Sequence, residues 1–131
     1  SALTGLQFQR LEALRWQFVP KRAGTRRPAV VVAFAGGAAK WGGHVKQEFV
    51  RVLSTVDADA VFLTDPCQSW YLLAKDGSWN GAAEWTARLT SFLADYEHVV
   101  FVGASMGGTA ALFYGHLASV AMALNPVVDL D

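Results

Sequence analysis

Four short apolar runs divide the chain, and each is rich in valine or alanine. Runs of this kind, five to seven residues long here, are typical of strands that are buried on both faces of a parallel sheet. Each run is closely followed by glycine or by Asp-Pro or Asn-Pro, which would end the strand. The predicted strands are Ala29–Ala35, Ala58–Leu63, His98–Val102 and Val120–Leu124.

Between these runs, apolar residues recur at helical spacing. Two stripes with a 4-3-4 spacing each place their residues on one face of a helix. The second of these helices is predicted from about Gly81 to Tyr96, with Asn80 or Ser78 able to cap it. A third helix, over 106–117, is apolar nearly all the way round and is expected in the middle of a domain. The two stripes are Val45, Phe49, Val52 and Val56, and Trp85, Leu89, Phe92 and Tyr96.

The alternation of these elements predicts the fold class. A strand-helix order repeated along the chain predicts an α/β fold, with a mainly parallel sheet, helices on both faces and right-handed crossovers. The segment Leu6–Val19 alternates loosely and predicts one or two antiparallel edge strands. Because 131 residues suffice for one ordinary domain, we expect a single domain over residues 1–131.

Composition narrows the classes of partner and compartment. The 11 basic and 11 acidic residues cancel, which argues against a nucleic-acid partner. The longest nearly apolar stretch, Pro28–Ala39, is too short for a transmembrane helix. The single cysteine, Cys67, excludes an internal disulfide, so a soluble protein of a cytoplasmic or organellar compartment is favoured over an extracellular one. A basic cluster is interpreted as a solvated loop: Lys21, Arg22, Arg26 and Arg27.

A catalytic motif lies between the third strand and the third helix. The residues Gly103-Ala104-Ser105-Met106-Gly107 form G-x-S-x-G in the strand-turn-helix context that a nucleophile elbow requires. A serine at this turn has a strained backbone, so the residues two before and two after it must be very small. The turn would raise the Ser105 hydroxyl above the sheet, beside a helix N-terminus that can stabilise an oxyanion.

Two backbone N–H groups are candidates for this oxyanion hole. Met106 supplies one, as the residue after the nucleophile. The second would come from the loop after the first buried strand, where Gly36 and Gly37 allow close approach of a substrate carbonyl. Alternatively, the two glycines only terminate the strand.

The segment from about Ala29 to Asp131 resembles the first half of the α/β-hydrolase superfamily. The run from Gly103 to Gly108 is similar to that of its esterases, lipases, thioesterases and acyltransferases. The resemblance implies strands three to six of that sheet, with Ser105 as nucleophile, in a truncated three-layer sandwich that lacks the usual C-terminal strands. It also implies a small acyl or ester substrate, and it leaves the individual substrate open.

The remaining members of a catalytic triad are not evident. His98 begins the strand whose far end carries Ser105, and His116 lies about 16 Å along the following helix, so neither can serve as the base. His44 follows the glycine loop, but a solvated loop histidine is the simpler interpretation. Asp129 is a possible acid after the fourth strand, while it and Asp65 can also be explained as turn caps.

No other chemistry is indicated. No group of His, Cys, Asp and Glu has metal-ligand spacing and no phosphate-binding glycine motif is present, so neither a metal nor a cofactor is expected. Loop aromatics near the predicted catalytic edge could line a pocket or bind a partner, although packing under loops is the simpler explanation. They are Trp41, Trp70, Tyr71 and Trp79.

Three interpretations remain open. In the first, the chain is a serine hydrolase or acyltransferase whose acid and histidine are supplied elsewhere. In the second, it is a catalytically inactive relative that acts as a binding or structural subunit, with a protein partner covering an open apolar sheet edge. In the third, it is a flavodoxin-like or Rossmann-like domain with an accidental Ser105 motif, a different strand order and a nucleotide phosphate at a helix N-terminus.

Overall fold

The computed structural model describes residues 16–36, 40–41, 44–45, 49–65, 69–72, 74 and 78–127. The strands are β1 (Trp16–Val19), β2 (Ala29–Phe34), β3 (Lys40–Trp41), β4 (His44–Val45), β5 (Asp59–Leu63), β6 (His98–Ala104) and β7 (Val120–Leu124). The helices are α1 (Val50–Leu53), α2 (Gly81–Leu93) and α3 (Met106–Phe113), and a 3₁₀ turn covers Gly115–Leu117. The four predicted buried runs all form strands, which confirms an α/β fold.

Five strands form one mainly parallel sheet in the order β1-β5-β2-β6-β7. β2 is central and pairs in parallel with both β5 and β6, with Phe34 opposite Leu63 on one side and Gly103 on the other. β1 pairs antiparallel with β5, with Trp16 opposite Leu63. An antiparallel edge strand is therefore confirmed for residues 16–19, while residues 6–15 lie outside the described part.

The two faces of the sheet are packed unequally. On one face, Val30, Val32 and Phe34 belong to a core cluster with side chains of both α2 and α3. On the other face, Val31 and Ala33 belong to a smaller cluster, against which Phe49 and Leu53 pack from the region of α1. Alternate residues of β2 thus face opposite layers, as the strand period requires.

The first predicted helix is wrong in its extent. The stripe began at Val45, but this residue lies in β4, and α1 covers only Val50–Leu53. Phe49 has a φ of 70°, a left-handed conformation that cannot continue a right-handed helix. Val52 and Val56 of the predicted stripe are exposed: Val52 lies in α1 but does not share the face on which Leu53 packs, and Val56 lies beyond the end of the helix.

The second predicted helix is confirmed in position and packing. In α2, Trp85 and Leu89 are buried, and Tyr96 just beyond its end is buried too. The predicted capping is wrong in detail: Asn80 is the N-cap residue, but its side chain makes no capping hydrogen bond. The Asn80 amide nitrogen donates to the Ser78 hydroxyl at 3.2 Å.

The third predicted helix is shorter and more exposed than expected. α3 ends at Phe113, and the chain continues into the 3₁₀ turn. Leu112 and Phe113 are 46% and 55% exposed, since positions 106, 110 and 114 turn toward the sheet and leave these two on the outer side. β7 is also open on one face, where its exposed apolar residues are Val120, Met122 and Leu124. Within the described ranges, none of the helices is long and apolar enough to cross a bilayer.

Candidate active site at the carboxyl ends of the strands

Ser105 is exposed at the junction between β6 and α3. Its backbone has φ 54° and ψ −121°, a region that residues with a side chain rarely adopt. The residue is the N-cap position of α3, which begins at Met106. The strained strand-to-helix turn predicted from the sequence is therefore present, and it leaves Ser105 accessible at the carboxyl end of the sheet.

The flanking glycines are required by contacts with the backbone. A Cβ atom on Gly103 would lie 2.1 Å from the carbonyl oxygen of Gly107, and one on Gly107 would lie 2.0 Å from that of Phe34. Both separations are far shorter than any non-bonded carbon–oxygen contact, so no side chain fits at either position without moving the main chain. The absence of a side chain at Gly103 therefore allows β6 to pack closely against α3, and its absence at Gly107 allows α3 to pack closely against β2.

Backbone hydrogen bonds fix the turn on both sides. The Ser105 N–H donates to the Leu124 carbonyl oxygen at 2.9 Å, and the Ser105 carbonyl accepts from the Thr109 N–H at 3.0 Å. The Thr109 hydroxyl also bonds to both the N–H and the carbonyl of Val127, at 2.8 and 2.7 Å. The segment after β7 is therefore attached one helical turn into α3.

The two candidate oxyanion donors lie at the same edge of the sheet. Met106 opens α3, where the first N–H groups of a helix have no acceptor within the helix. Gly36 is buried and follows β2, the neighbour of β6. The missing Cβ of Gly107 lies within 3 Å of Phe34 and Ala35 backbone atoms, so the start of α3 and the end of β2 are in direct contact. Gly37 lies outside the described residues.

The described histidines do not reach the nucleophile. His98 is the first residue of β6, opposite Ala29, and therefore lies at the other end of the strand from Ser105. His116 lies in the 3₁₀ turn beyond the far end of α3. For His44 only the backbone is described, and Asp129 falls outside the described residues, so both remain sequence-based predictions.

Asp65 acts as the turn cap that the sequence suggested. Its Oδ2 atom accepts hydrogen bonds from the Ser69 N–H, the Ser69 hydroxyl and the Tyr71 N–H, at 2.6, 2.8 and 2.9 Å. Its Oδ1 atom is buried without a hydrogen-bond partner. Asp65 therefore organises the connection that leaves β5, at the same edge of the sheet as Ser105.

Tyr71 is one of the loop aromatics for which the sequence left a pocket, a partner surface and packing under loops as alternatives. It is fully buried, as packing under loops requires, while Trp70 is half-buried and Trp79 is exposed. Its hydroxyl also donates to the Ala35 carbonyl oxygen at 2.7 Å, directly before Gly36. No local sequence pattern announces a contact between a phenol and a carbonyl 36 residues away. For Trp41 only the backbone is described.

The neighbouring Tyr114 closes the same network. Its hydroxyl donates to the Tyr71 carbonyl oxygen at 2.7 Å, and its ring is stacked parallel to that of Phe34. Burial, together with the negative charge of Asp65, raises the pKa of Tyr114 well above its usual range. The hydroxyl therefore stays protonated and remains a hydrogen-bond donor at any physiological pH.

Ser105 presents an accessible hydroxyl at the start of α3, where the first N–H groups have no acceptor within the helix, and this suits nucleophilic attack on a carbonyl. Among the residues described, no group of three or more His, Cys, Asp and Glu side chains is placed to hold a metal ion. Comparison with known proteins adds no assignment: no protein-family model and no curated protein sequence matches the chain.

Proposed function

We propose that the chain is an α/β-hydrolase-like protein in which Ser105 is the nucleophile for hydrolysis of an ester or thioester, or for acyl transfer. The observation that carries the proposal is the backbone of Ser105, with its positive φ and its two sterically required glycine neighbours. Strain of this kind costs about 1–3 kcal/mol and persists where a function uses it. A turn that served only to connect a strand to a helix would have no need of it.

The sheet supports this placement independently. The parallel strands run β5-β2-β6-β7, so the chain leaves β2 toward β5 on one side of the sheet and leaves β6 toward β7 on the other side. Ligands of open α/β sheets bind at such a switch point, outside the carboxyl ends of the two strands that flank it. Here those strands are β2 and β6, which lead to Gly36 and Ser105 respectively.

The same strand order corrects one expectation about the flavodoxin-like alternative. We expected its order to differ, but the four parallel strands also follow the flavodoxin-like arrangement. Strand order therefore does not separate the two proposals. The strained, exposed Ser105 supports the hydrolase-like proposal, because a phosphate site at a helix N-terminus needs only backbone N–H groups and no raised hydroxyl.

In the proposed reaction the Ser105 oxygen attacks the acyl carbonyl carbon while a base takes its proton. The carbonyl oxygen becomes an oxyanion, which would accept hydrogen bonds from the N–H groups of Met106 and Gly36. Collapse expels the alcohol or thiol, which recovers the proton, and leaves an ester on Ser105. Water, or an acceptor alcohol or thiol, then attacks that ester and frees the serine.

The base and the acid must come from residues other than His98 and His116, both of which lie away from Ser105. Asp129 is the proposed acid. In the sequence it lies two residues after Val127, whose backbone is hydrogen-bonded to the Thr109 hydroxyl on the first turn of α3. The short sequence separation from this anchored residue supports the choice of Asp129.

A second candidate function is that of an inactive hydrolase-like subunit that binds a protein partner. It is favoured by the open face of β7, where Val120, Met122 and Leu124 are each at least half exposed. An apolar strand face at a sheet edge is a surface on which another polypeptide can pack. The two proposals differ in whether the Ser105 hydroxyl reacts.

Labelling with a fluorophosphonate probe tests this difference. An adduct is expected on Ser105, located by peptide mass spectrometry, and it should be absent in Ser105→Ala but present in the control Ser91→Ala, which changes an exposed serine of α2. Imidazole in the buffer should accelerate labelling if a catalytic base is lacking. No adduct on Ser105 with or without imidazole would remove the hydrolase proposal and leave the binding one.

A further inference from the structure

The segment that carries Tyr71 is strained and firmly held. Trp70 and Tyr71 have φ values of 61° and 60°, and neither is a glycine. The Asp65 carboxylate accepts hydrogen bonds from the backbone on both sides of Trp70, at the N–H groups of Ser69 and Tyr71. The Tyr114 hydroxyl donates to the Tyr71 carbonyl. A costly conformation is thus maintained by several buried hydrogen bonds, which indicates a positional role for the side chain that it directs.

The Tyr71 side chain ends on the peptide group that precedes Gly36. Its hydroxyl lies 2.7 Å from the Ala35 oxygen and 3.1 Å from the Leu63 oxygen. The Ala35 N–H donates to the same Leu63 oxygen at 2.9 Å. Residue 35 is therefore fixed at both its N–H and its carbonyl, just beyond the end of β2.

Fixing the Ala35 carbonyl also fixes the Gly36 N–H. The two groups belong to one planar trans peptide and point in opposite directions, so rotation of either rotates the other. Glycine at position 36 allows more backbone rotation than any other residue, so it would not itself hold that peptide in one orientation. Among the described contacts, the hydrogen bond from the Tyr71 hydroxyl to the Ala35 carbonyl restrains this orientation directly.

We infer that the Tyr71 hydroxyl positions the Gly36 N–H for oxyanion stabilisation, an inference that rests on the proposed function of Ser105. Tyr71 is a positioning residue here, because it acts through the Ala35–Gly36 peptide and does not contact the reacting atoms. Its role is to keep one donor of the oxyanion hole aligned before the substrate arrives, which is the condition for such donors to lower a barrier.

The same network links this donor to the other one. Tyr114 follows α3 directly, and its hydroxyl holds the Tyr71 carbonyl while its ring stacks on Phe34. At the opposite end of α3, Gly107 lies against the Phe34 carbonyl. The helix that presents the Met106 N–H and the strand end that presents the Gly36 N–H are therefore braced against each other at two points.

The test is a single-atom deletion, Tyr71→Phe, compared with Tyr96→Phe in the full-length chain. Tyr96 is also buried and its hydroxyl also donates a hydrogen bond, but to Asp59 at the other end of the sheet. The maximal rate of fluorophosphonate labelling at Ser105 should fall about tenfold or more in Tyr71→Phe and stay within twofold in Tyr96→Phe. The probe concentration for half-maximal rate should change little in either variant, because ground-state binding does not use the oxyanion donors.

A second readout does not depend on a reactive serine. In protein labelled with ¹⁵N-glycine, the Gly36 amide resonance should shift markedly in Tyr71→Phe and remain in place in Tyr96→Phe. Tyr114→Phe retains the Tyr71 hydroxyl and loses only the hydrogen bond from Tyr114 to the Tyr71 carbonyl. It should therefore shift the Gly36 amide resonance in the same direction but by a smaller amount. This variant keeps the inference testable if Tyr71→Phe does not fold.

The outcomes separate the two proposals. If wild-type Ser105 is never labelled but the Gly36 resonance responds only to the Tyr71 and Tyr114 variants, the proposed function fails and the positioning of Gly36 stands. If the labelling rate and the Gly36 resonance respond alike to Tyr71→Phe and Tyr96→Phe, the Tyr71 hydroxyl has only a general structural role and the inference is overturned.

Discussion

The two ends of the sheet are stabilised in different ways. At the amino end, Asp59 is fully buried and uses both carboxylate oxygens, accepting from the N–H groups of Lys21 and Arg27 and from the Tyr96 hydroxyl. Burial and the Asp59 carboxylate raise the pKa of Tyr96 to about 12, so this hydroxyl remains a donor. The loop that Asp59 anchors is the predicted solvated basic segment, and its one positive φ is at Gly24.

At the carboxyl end, non-glycine residues take up the strained conformations instead. Trp70, Tyr71, Ser105 and Asn125 all have positive φ, and each follows a parallel strand. Asp65, the counterpart of Asp59 at this end of β5, leaves its Oδ1 atom buried and unpaired. Each end contains one buried side-chain atom without a hydrogen-bond partner among the described residues, Arg27 Nε at the amino end and Asp65 Oδ1 at the carboxyl end. The ends therefore differ in backbone strain, which is concentrated at the end that carries the proposed site and must be offset by the rest of the fold.

The largest expected difference between the two ends is in their glycines. Gly107→Ala places a methyl group 2.0 Å from the Phe34 carbonyl oxygen and should lower the free energy of unfolding by more than about 3 kcal/mol. Gly24→Ala meets no atom within 4 Å and should cost only about 1 kcal/mol, from its φ of +76°. Urea unfolding measures both. Similar losses for the two variants would show that the close approach of α3 to β2 is not what constrains position 107.

A smaller effect is expected from the buried carboxylate at the amino end. Burial by itself raises the pKa of Asp59, but hydrogen bonds from Lys21, Tyr96 and Arg27 outweigh it and lower that pKa below its usual value. The stabilisation from Asp59 is therefore present above about pH 4 and is lost as the pH falls through the lowered value. Asp59→Asn should cost about 2 kcal/mol at pH 7.

The pH dependence provides the check on this assignment. Urea unfolding at pH 7 and at pH 3 should show a smaller loss of stability with acid in Asp59→Asn than in the wild-type chain. Asp57→Asn is the control, since Asp57 is exposed and pairs with Arg27 at the surface, and it should cost at most about 0.5 kcal/mol. An unchanged acid dependence in Asp59→Asn would assign the acid sensitivity to other carboxylates.

The smallest expected effect is a gain in stability at the proposed nucleophile. Ser105→Gly removes the side chain from a backbone at φ 54° and should raise the free energy of unfolding by about 1 kcal/mol while abolishing labelling. Ser91→Gly, at an exposed position within α2, should lower it by about 1 kcal/mol. Thermal unfolding of the two variants compares them directly. A loss of stability in Ser105→Gly would mean that the turn is not strained by its serine.

Local patterns predicted the sheet and the turn well. The runs that form β2, β5 and β6 are short and apolar because both faces of these strands are mostly covered, and that burial is recorded in the residues themselves. The run that forms β7 has a similar composition, but one face of this strand is exposed. The G-x-S-x-G motif was equally informative, because both of its glycines are required by close backbone contacts. Gly103 contacts the backbone only four residues away, at Gly107, and Gly107 contacts the backbone of the adjacent strand at Phe34.

Features set by distant parts of the chain were not predictable in the same way. The stripe from Val45 to Val56 has helical spacing, but the left-handed Phe49 interrupts it and leaves one turn of helix. The apolar outer side of α3 predicted deep burial, yet Leu112 has no packed layer above it among the described residues. The contact of Tyr71 with Ala35 depends on how two loops meet, which no single stretch of sequence records.

The hydrogen bond from the Ser105 N–H to the Leu124 carbonyl has a consequence for the timing of biosynthesis. The turn at Ser105 cannot be completed until residue 124 has been synthesised and β7 has docked beside β6. At translation rates of about 5–20 residues per second, the nascent chain carries an unfinished turn for about one to four seconds. During that interval β6 is an unprotected sheet edge, so the docking of β7 both shields that edge and completes the serine turn.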